Sequence, residues 1–189
     1  MDLLSSIFLG ILQGVTEFLP ISSSGHLVIM QKILGITEGQ LTFNIFLHFG
    51  TLISIIIIFW DDIKDIIFLN SEKKHLIWLI IIGSIPTGFI GIMFEDFFET
   101  LFSSVLIAGF MLLVTGLILY LAEKMKRLEK NIDDFKANNA IIVGIAQGMA
   151  IIPGISRSGS TIVACLFQKL KKEDAARYSF LLSIPAVGG

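Results

Sequence analysis

The stretch "QGVTEFLPISSSGH", Gln13 to His26, sets a carboxylate, three consecutive serines and an imidazole among residues suited to lipid. A second stretch, "QGMAIIPGISRSGS" from Gln147 to Ser160, lies over it at an offset of 134 with no gap. Gln13, Gly14, Ile21, Ser22, Ser24 and Gly25 coincide with Gln147, Gly148, Ile155, Ser156, Ser158 and Gly159. Pro20 and Pro153 fall one place apart, and at the same offset Phe46-Leu47 lands on Phe180-Leu181. Such a repeat divides the chain before any other fold argument is made. Residues 1–136 read as a first half, and 137–189 as the start of a second.

Composition puts this repeat in a membrane. Hydrophobic residues make up 54% of the 189, and only 16% are charged, where a soluble domain carries roughly 25%. Thr42–Trp60, Leu76–Phe94 and Val105–Ala122 hold no acid, lysine or arginine, and each approaches the roughly 20 residues a spanning helix needs. The first basic residue is Lys32, so the N-terminus lacks the basic start of a cleavable signal peptide. A net charge of −2 argues against a nucleic-acid partner, and the single cysteine, Cys165, leaves no intramolecular disulfide.

Charge then orients the segments. Lys64, Lys73 and Lys74 lie in Asp61–His75; Lys124, Lys126, Arg127, Lys130 and Lys136 lie in Glu123–Lys136. Glu95–Ser104 has three acids and no base. The positive-inside rule places the first two loops in the cytoplasm and the third, read as a solvated loop, outside. After the first motif, Lys32–Gln40 has one lysine; its repeat partner, Lys169–Arg177, has Lys169, Lys171, Lys172 and Arg177. The first belongs outside and the second inside, so the halves read as inverted, as in many transporters. Residues 1–31 and 140–168 then read as re-entrant helical hairpins entering from opposite sides. The expected fold is an all-α integral membrane protein with an inverted-topology repeat. A full second half would continue well beyond Gly189, so further C-terminal spans are expected.

The two turns carry the chemistry. Non-helical backbone is tolerated at membrane depth only where protein or a water-filled cavity surrounds it. "PISSSGH" and "PGISRSGS" read as such turns, each followed by a helix starting near Leu27 and Thr161. Helix N-termini offer free N–H groups and a positive dipole end to an anion. Ser22, Ser23, Ser24, Ser156, Ser158 and Ser160 add hydroxyls, Gly25 and Gly159 add open backbone, and Arg157 adds a planar cation suited to phosphate. Glu17 and Gln13, four apart, share a helix face. A lone carboxylate in an anion pocket suits proton transfer or metal ligation. His26 could carry the other proton, orient a serine nucleophile, or cap the following helix. His48, beside Phe49 and Gly50, reads as a packing residue.

"QGVTEFLPISSSGHL" and "PGISRSGST" resemble the two signature motifs of the undecaprenyl-diphosphatase, or bacitracin-resistance, family. The motifs are long and specific, and the likeness follows the whole chain in segment order. It implies removal of the terminal phosphate from undecaprenyl diphosphate, recycling the lipid carrier of cell-wall synthesis in the bacterial cell membrane. It also implies an all-helical inverted repeat with two re-entrant hairpins and a site open to the outer face. The family's acidic motif falls on Gln13 and Glu17. Its serine motif falls on Ser22, Ser23, Ser24, Gly25 and His26. Its arginine motif falls on Pro153, Gly154, Ser156, Arg157, Ser158 and Gly159. Many members have glutamate where this chain has Gln13, which leaves Glu17 as the essential acid. A divalent cation, magnesium or calcium, is implied by the resemblance alone, with Glu17 its candidate ligand.

The expectation is therefore a membrane phosphatase for a polyprenyl diphosphate, with Glu17, Ser23, His26 and Arg157 catalytic and Gln13 supporting. Ser22, Ser24, Gly25, Ser156, Ser158, Gly159 and Ser160 would hold the phosphates. Ser23 is the expected nucleophile, with water as the alternative. The partners would be the lipid substrate, surrounding membrane lipids and a second copy in a homodimer. The rival is an ion-coupled transporter or lipid flippase with a midplane anion site.

Overall fold

The computed structural model describes residues 2–36, 39–68, 74–102, 104–125 and 128–188. Lys73, Lys126 and Arg127, three of the cations that orient the loops, lie outside them. Among the described residues the regular structure is helical, with one isolated bridge between Lys130 and Leu170.

The first motif folds as α1 (Leu3–Phe18), a turn, and α2 (Ser23–Ile33). Asp2 starts α1, its Oδ1 accepting from the Ser5 N–H at 2.7 Å. The second motif folds likewise as α8 (Ala137–Met149), a turn, and α9 (Arg157–Phe167), followed by α10 (Lys172–Gly188). Between them lie α3 (Gln40–Ile58), α4 (Trp60–Ile67), α5 (Lys74–Met93), α6 (Glu95–Phe102) and α7 (Val105–Glu123).

By length and composition α5 and α7 can each cross a membrane, and α3 with α4 makes a third if read as one bent span. At about 1.5 Å per residue, helices of this length match a hydrocarbon core of about 30 Å. The expected span Thr42–Trp60 does not run straight into a loop, because α3 and α4 meet at Phe59 with a bend of 79°. The cause is in the sequence. After four isoleucines the chain reads "WDDIKDII", with acids and a lysine opposite isoleucines. Such a helix lies along an interface rather than continuing into hydrocarbon. Asp62 there accepts from Arg177 Nε of α10 at 2.8 Å.

The expected loop Glu95–Ser104 is also corrected, since most of it forms α6. Phe98 is buried there, with Phe94 and Phe97 rings at 6.4 and 5.8 Å. Phe98 anchors the helix, while Glu95, Asp96 and Glu99 stay exposed, so the segment is solvated as expected but helical.

Small residues bring α5 and α8 into intimate contact. A Cβ on Gly144 would stand 2.0 Å from the Gly83 carbonyl oxygen, so only glycine fits. Thr87 Oγ1 donates to the Gly144 carbonyl at 2.9 Å across the same seam. Close approach through small residues, with hydroxyls bonding across, is how apolar helices associate when lipid is as greasy as their side chains. A buried cluster of Leu79, Phe135, Val143, Leu166, Leu170 and Leu182 surrounds Tyr178, whose hydroxyl donates to the Leu79 carbonyl at 2.7 Å. Outside this core the large side chains point away: Phe46, Ile57, Trp78, Ile85, Ile92, Leu106 and Leu113 are exposed. On a soluble protein such a surface would aggregate; here it is the face offered to acyl chains.

Candidate active site

Both motif turns end in the same serine cap. Ser22 Oγ accepts from Gly25 N–H at 3.3 Å, and Ser156 Oγ accepts from Gly159 N–H at 3.0 Å. Each serine caps the helix that follows, satisfying a donor that would otherwise be free. The helices therefore begin at Ser23 and Arg157, four residues before the expected Leu27 and Thr161. Ser23 and Arg157 become the first residues of their helices, at the dipole end that favours an anion.

The turns then touch. A Cβ on Gly25 would lie 2.7 Å from Gly154 Cα, and one on Gly159 would lie 3.0 Å from the Pro20 carbonyl oxygen. Gly154 itself has φ +96° and packs its Cα against the Ala108 carbonyl, which excludes every side chain. Thr115 of α7 fastens this turn. Its Oγ1 donates to the Gly154 carbonyl at 2.8 Å and accepts from Ser156 N–H at 3.1 Å.

At the meeting point Glu17, from the last turn of α1, is 6% exposed. Its Oε2 accepts from Ser23 Oγ at 2.6 Å and from Gln13 Nε2 at 3.1 Å. Its Oε1 pairs with Arg157 Nη2. Ser158 Oγ lies 3.4 Å from the Glu17 carbonyl oxygen, to which it donates. One carboxylate thus joins residues 140 positions apart. Arg157 Nη1 is buried with no hydrogen-bond partner among the described residues. A buried guanidinium donor left open is costly unless a ligand accepts from it.

Glu17, Ser22, Ser23, Ser24, Ser156, Arg157 and Ser158 all line one cavity of about 520 Å³. Gln13 is buried behind Glu17 and does not line it. Gly25 and Gly159 serve close packing, and Ser160 bonds through its N–H to the Ser156 carbonyl at 2.8 Å; none of the three lines the cavity. His26, expected to carry a proton, orient a serine or cap the following helix, is absent from the lining too. Its Nδ1 sits 2.7 Å from the Ser22 carbonyl oxygen, one helical turn back. Ser22 has φ +70°, a left-handed conformation costly for serine, and the His26 ring N–H donates to hold it. The i, i+4 spacing, which sequence shows, points the ring back along its own helix rather than across the turn.

His48, expected to pack, lines the cavity instead, with Thr16, Thr87 and Gln147. His48 lies within electrostatic reach of Glu17. Gln147, the repeat partner of Gln13, donates to Thr87 Oγ1 at 3.2 Å, and its Oε1, like that of Gln13, is buried without a partner among the described residues. The alignment of the two glutamines was the signal available for this; nothing in sequence marked Thr115.

The residues do not form a ready cation site. Magnesium and calcium require several oxygen ligands. Among the described lining residues Glu17 is the one carboxylate, and both its oxygens already accept bonds from Arg157, Ser23 and Gln13. No cluster of three or more His, Cys, Asp or Glu occurs among the described residues.

Residues 6–189 match the family described as bacitracin resistance protein BacA. The chain belongs to that family. Its relatives include several that carry the name undecaprenyl-diphosphatase. That of Halothermothrix orenii is 62% identical over the whole of this chain and 73% of its own length. That of Carboxydothermus hydrogenoformans is 50% identical over the whole chain and 72% of its own. That of Methanosphaera stadtmanae is 48% identical over the whole chain and 75% of its own. In this BacA-family chain the inter-turn carboxylate is supported by a neutral amide, Gln13, so its negative charge meets no second carboxylate on that helix face.

Proposed function

We propose that the protein hydrolyses undecaprenyl diphosphate to undecaprenyl phosphate and inorganic phosphate. This returns the lipid carrier to cell-wall synthesis, a role that accords with bacitracin resistance. The observation that carries the reading is Glu17, bonded at once to Ser23 and Arg157 from two separate turns.

The chemistry follows from that arrangement. Arg157 pairs with Glu17 while the cavity is free of phosphate. An arriving diphosphate competes for the guanidinium, accepting first from the open Nη1. Glu17, relieved of part of its partner, takes the proton of the Ser23 hydroxyl, which already donates to it at 2.6 Å. Ser23 Oγ then attacks the terminal phosphorus, and the bridging oxygen leaves with the lipid phosphate. Arg157, the two helix N-termini and the hydroxyls of Ser22, Ser24, Ser156 and Ser158 stabilise the charge on the transferring group. His26 and Gln13 position Ser22 and Glu17.

We also read the turns as tips of re-entrant hairpins. Helices α1, α2, α8 and α9 have 16, 11, 13 and 11 residues, or about 16–24 Å, short of a spanning length of about 30 Å. The matching serine caps at 22 and 156 support a repeat, which we read as inverted on the loop charges, with halves at 1–136 and 137–189. The setting is the bacterial plasma membrane, crossed several times, with a homodimer as the assembly.

Phosphate release from undecaprenyl diphosphate by the full-length protein in detergent tests the reading. Glu17→Gln and Arg157→Ala should each lose about 10²–10⁴ in kcat. A folded parent that releases no phosphate would instead support a carrier that binds the anion without chemistry.

A further inference from the structure

A second cavity, of about 530 Å³, adjoins the first. Its wall is largely apolar, with Leu27, Val28, Ile45 and Phe49. The two share Ser24, His48, Phe102, Ala186 and Val187. A ligand with a charged head and an isoprenoid tail, filling both, must pass its joining atoms through this seam. On the phosphatase reading, those atoms are the lipid-side phosphate and the first isoprene unit. Ser24 and His48 are the polar side chains among the five. His48 Nδ1 lies 2.8 Å from the Asn44 carbonyl oxygen, an acceptor only, so Nδ1 carries hydrogen and donates. That leaves Nε2 as the nitrogen free to exchange a proton.

We infer that His48 is a further catalytic residue, which protonates the departing lipid phosphate from Nε2. The inference rests on the phosphatase reading and adds the acid that reading lacks, since His26 does not line the cavity. The protons balance over a cycle. In the first half Ser23 gives its proton to Glu17, the Oγ–P bond forms, and the bridging P–O bond breaks with its electron pair on the bridging oxygen. Imidazolium Nε2–H passes its proton to that oxygen, and undecaprenyl phosphate departs as a monoanion. In the second half water attacks the phosphoserine phosphorus and neutral Nε2 takes its proton. Ser23 Oγ leaves with the proton held by Glu17. Both side chains return to their starting state.

The charged groups lining either cavity, besides His48, are Glu17 from α1 and Arg157 from α9 among the described residues. The faces from α2, α6 and α10 bring Ser24, Gln31, Phe102, Pro185 and apolar neighbours, none of which titrates. Among the described residues, Glu17 and Arg157 are therefore the side chains whose charge must be separated from that of His48 in any pH profile.

The experiment is kcat and KM for undecaprenyl diphosphate across pH, with the full-length parent and His48→Gln. Replacement should lower kcat about 10²-fold or more, change KM by far less, and abolish the fall in kcat on the alkaline side. Should His48→Gln fail to keep the parent's unfolding temperature, His48→Asn replaces it, since its amide can still donate to the Asn44 carbonyl. An active parent whose variant keeps both kcat and the alkaline limb overturns this inference and leaves the phosphatase reading standing. A folded parent without phosphate release overturns both.

Discussion

Replacing Thr115 by valine tests whether the arginine-bearing turn is held from behind. Thr115 is 4% exposed and touches neither cavity. Valine keeps its shape and removes two bonds, the 2.8 Å donation to the Gly154 carbonyl and the 3.1 Å acceptance from Ser156 N–H. Inter-helix hydrogen bonds in membrane proteins average about 0.6 kcal/mol and reach about 1.7, because helix-borne groups find other partners. The two groups here sit in a non-helical turn, where a buried orphan costs about 1–3 kcal/mol. The upper membrane values apply, giving about 2–4 kcal/mol in total. At about 2–4 °C per kcal/mol for a chain of this size, thermal unfolding in detergent should fall by roughly 5–15 °C. Loosening Ser156 also moves Arg157, so kcat should drop by about tenfold or more, as misplacement of a positioned group does. Thr115→Ser, which keeps both bonds, should behave like the parent. Valine and serine variants that unfold together within a degree, with equal kcat, would refute the reasoning.

Three further expectations follow from the same geometry. Gly144→Ala drives a methyl group to 2.0 Å from the Gly83 carbonyl, so α5 and α8 must separate at a cost of about 3 kcal/mol or more; yield and unfolding temperature in detergent check this, and a parent-like value contradicts it. Arg157→Lys keeps the charge but loses the planar fork that serves Glu17 and phosphate together, so kcat/KM should fall at least about tenfold; full activity would mean a point charge suffices. Gln13→Glu sets a second carboxylate beside Glu17, where two like charges need a counter-ion; phosphate release against added chelator should become steeply cation-dependent relative to the parent, and an unchanged profile would show that residue 13 does not govern the metal.

Much of the site was legible because its chemistry is local. The offset between the two motifs predicted that Glu17 and Arg157 share one place, and the serine-glycine spacing contained both helix caps. The misses have a common cause. Lipid and protein core are both apolar, so the pattern of α3 does not say which face of that helix His48 occupies; only α1, α2 and α10 packed around it decide that. Thr115 is one hydroxyl in an apolar run, recognisable only once the turn it fastens is in position. The bend at Phe59 and helix α6 arise from short amphipathic helices, which a count of charges reads as loops. For His26 the sequence left three roles open, and its ring bonds the backbone one turn back, at the start of its own helix.

The most direct measurement is acid-quenched turnover of undecaprenyl diphosphate by the full-length protein, followed by peptide mass analysis of Ser23. A phosphoryl group on Ser23 in the parent, absent in Glu17→Gln, with Ser23→Ala inactive, is the predicted result. Undiminished phosphate release by a folded Ser23→Ala variant would contradict the proposed attack by Ser23.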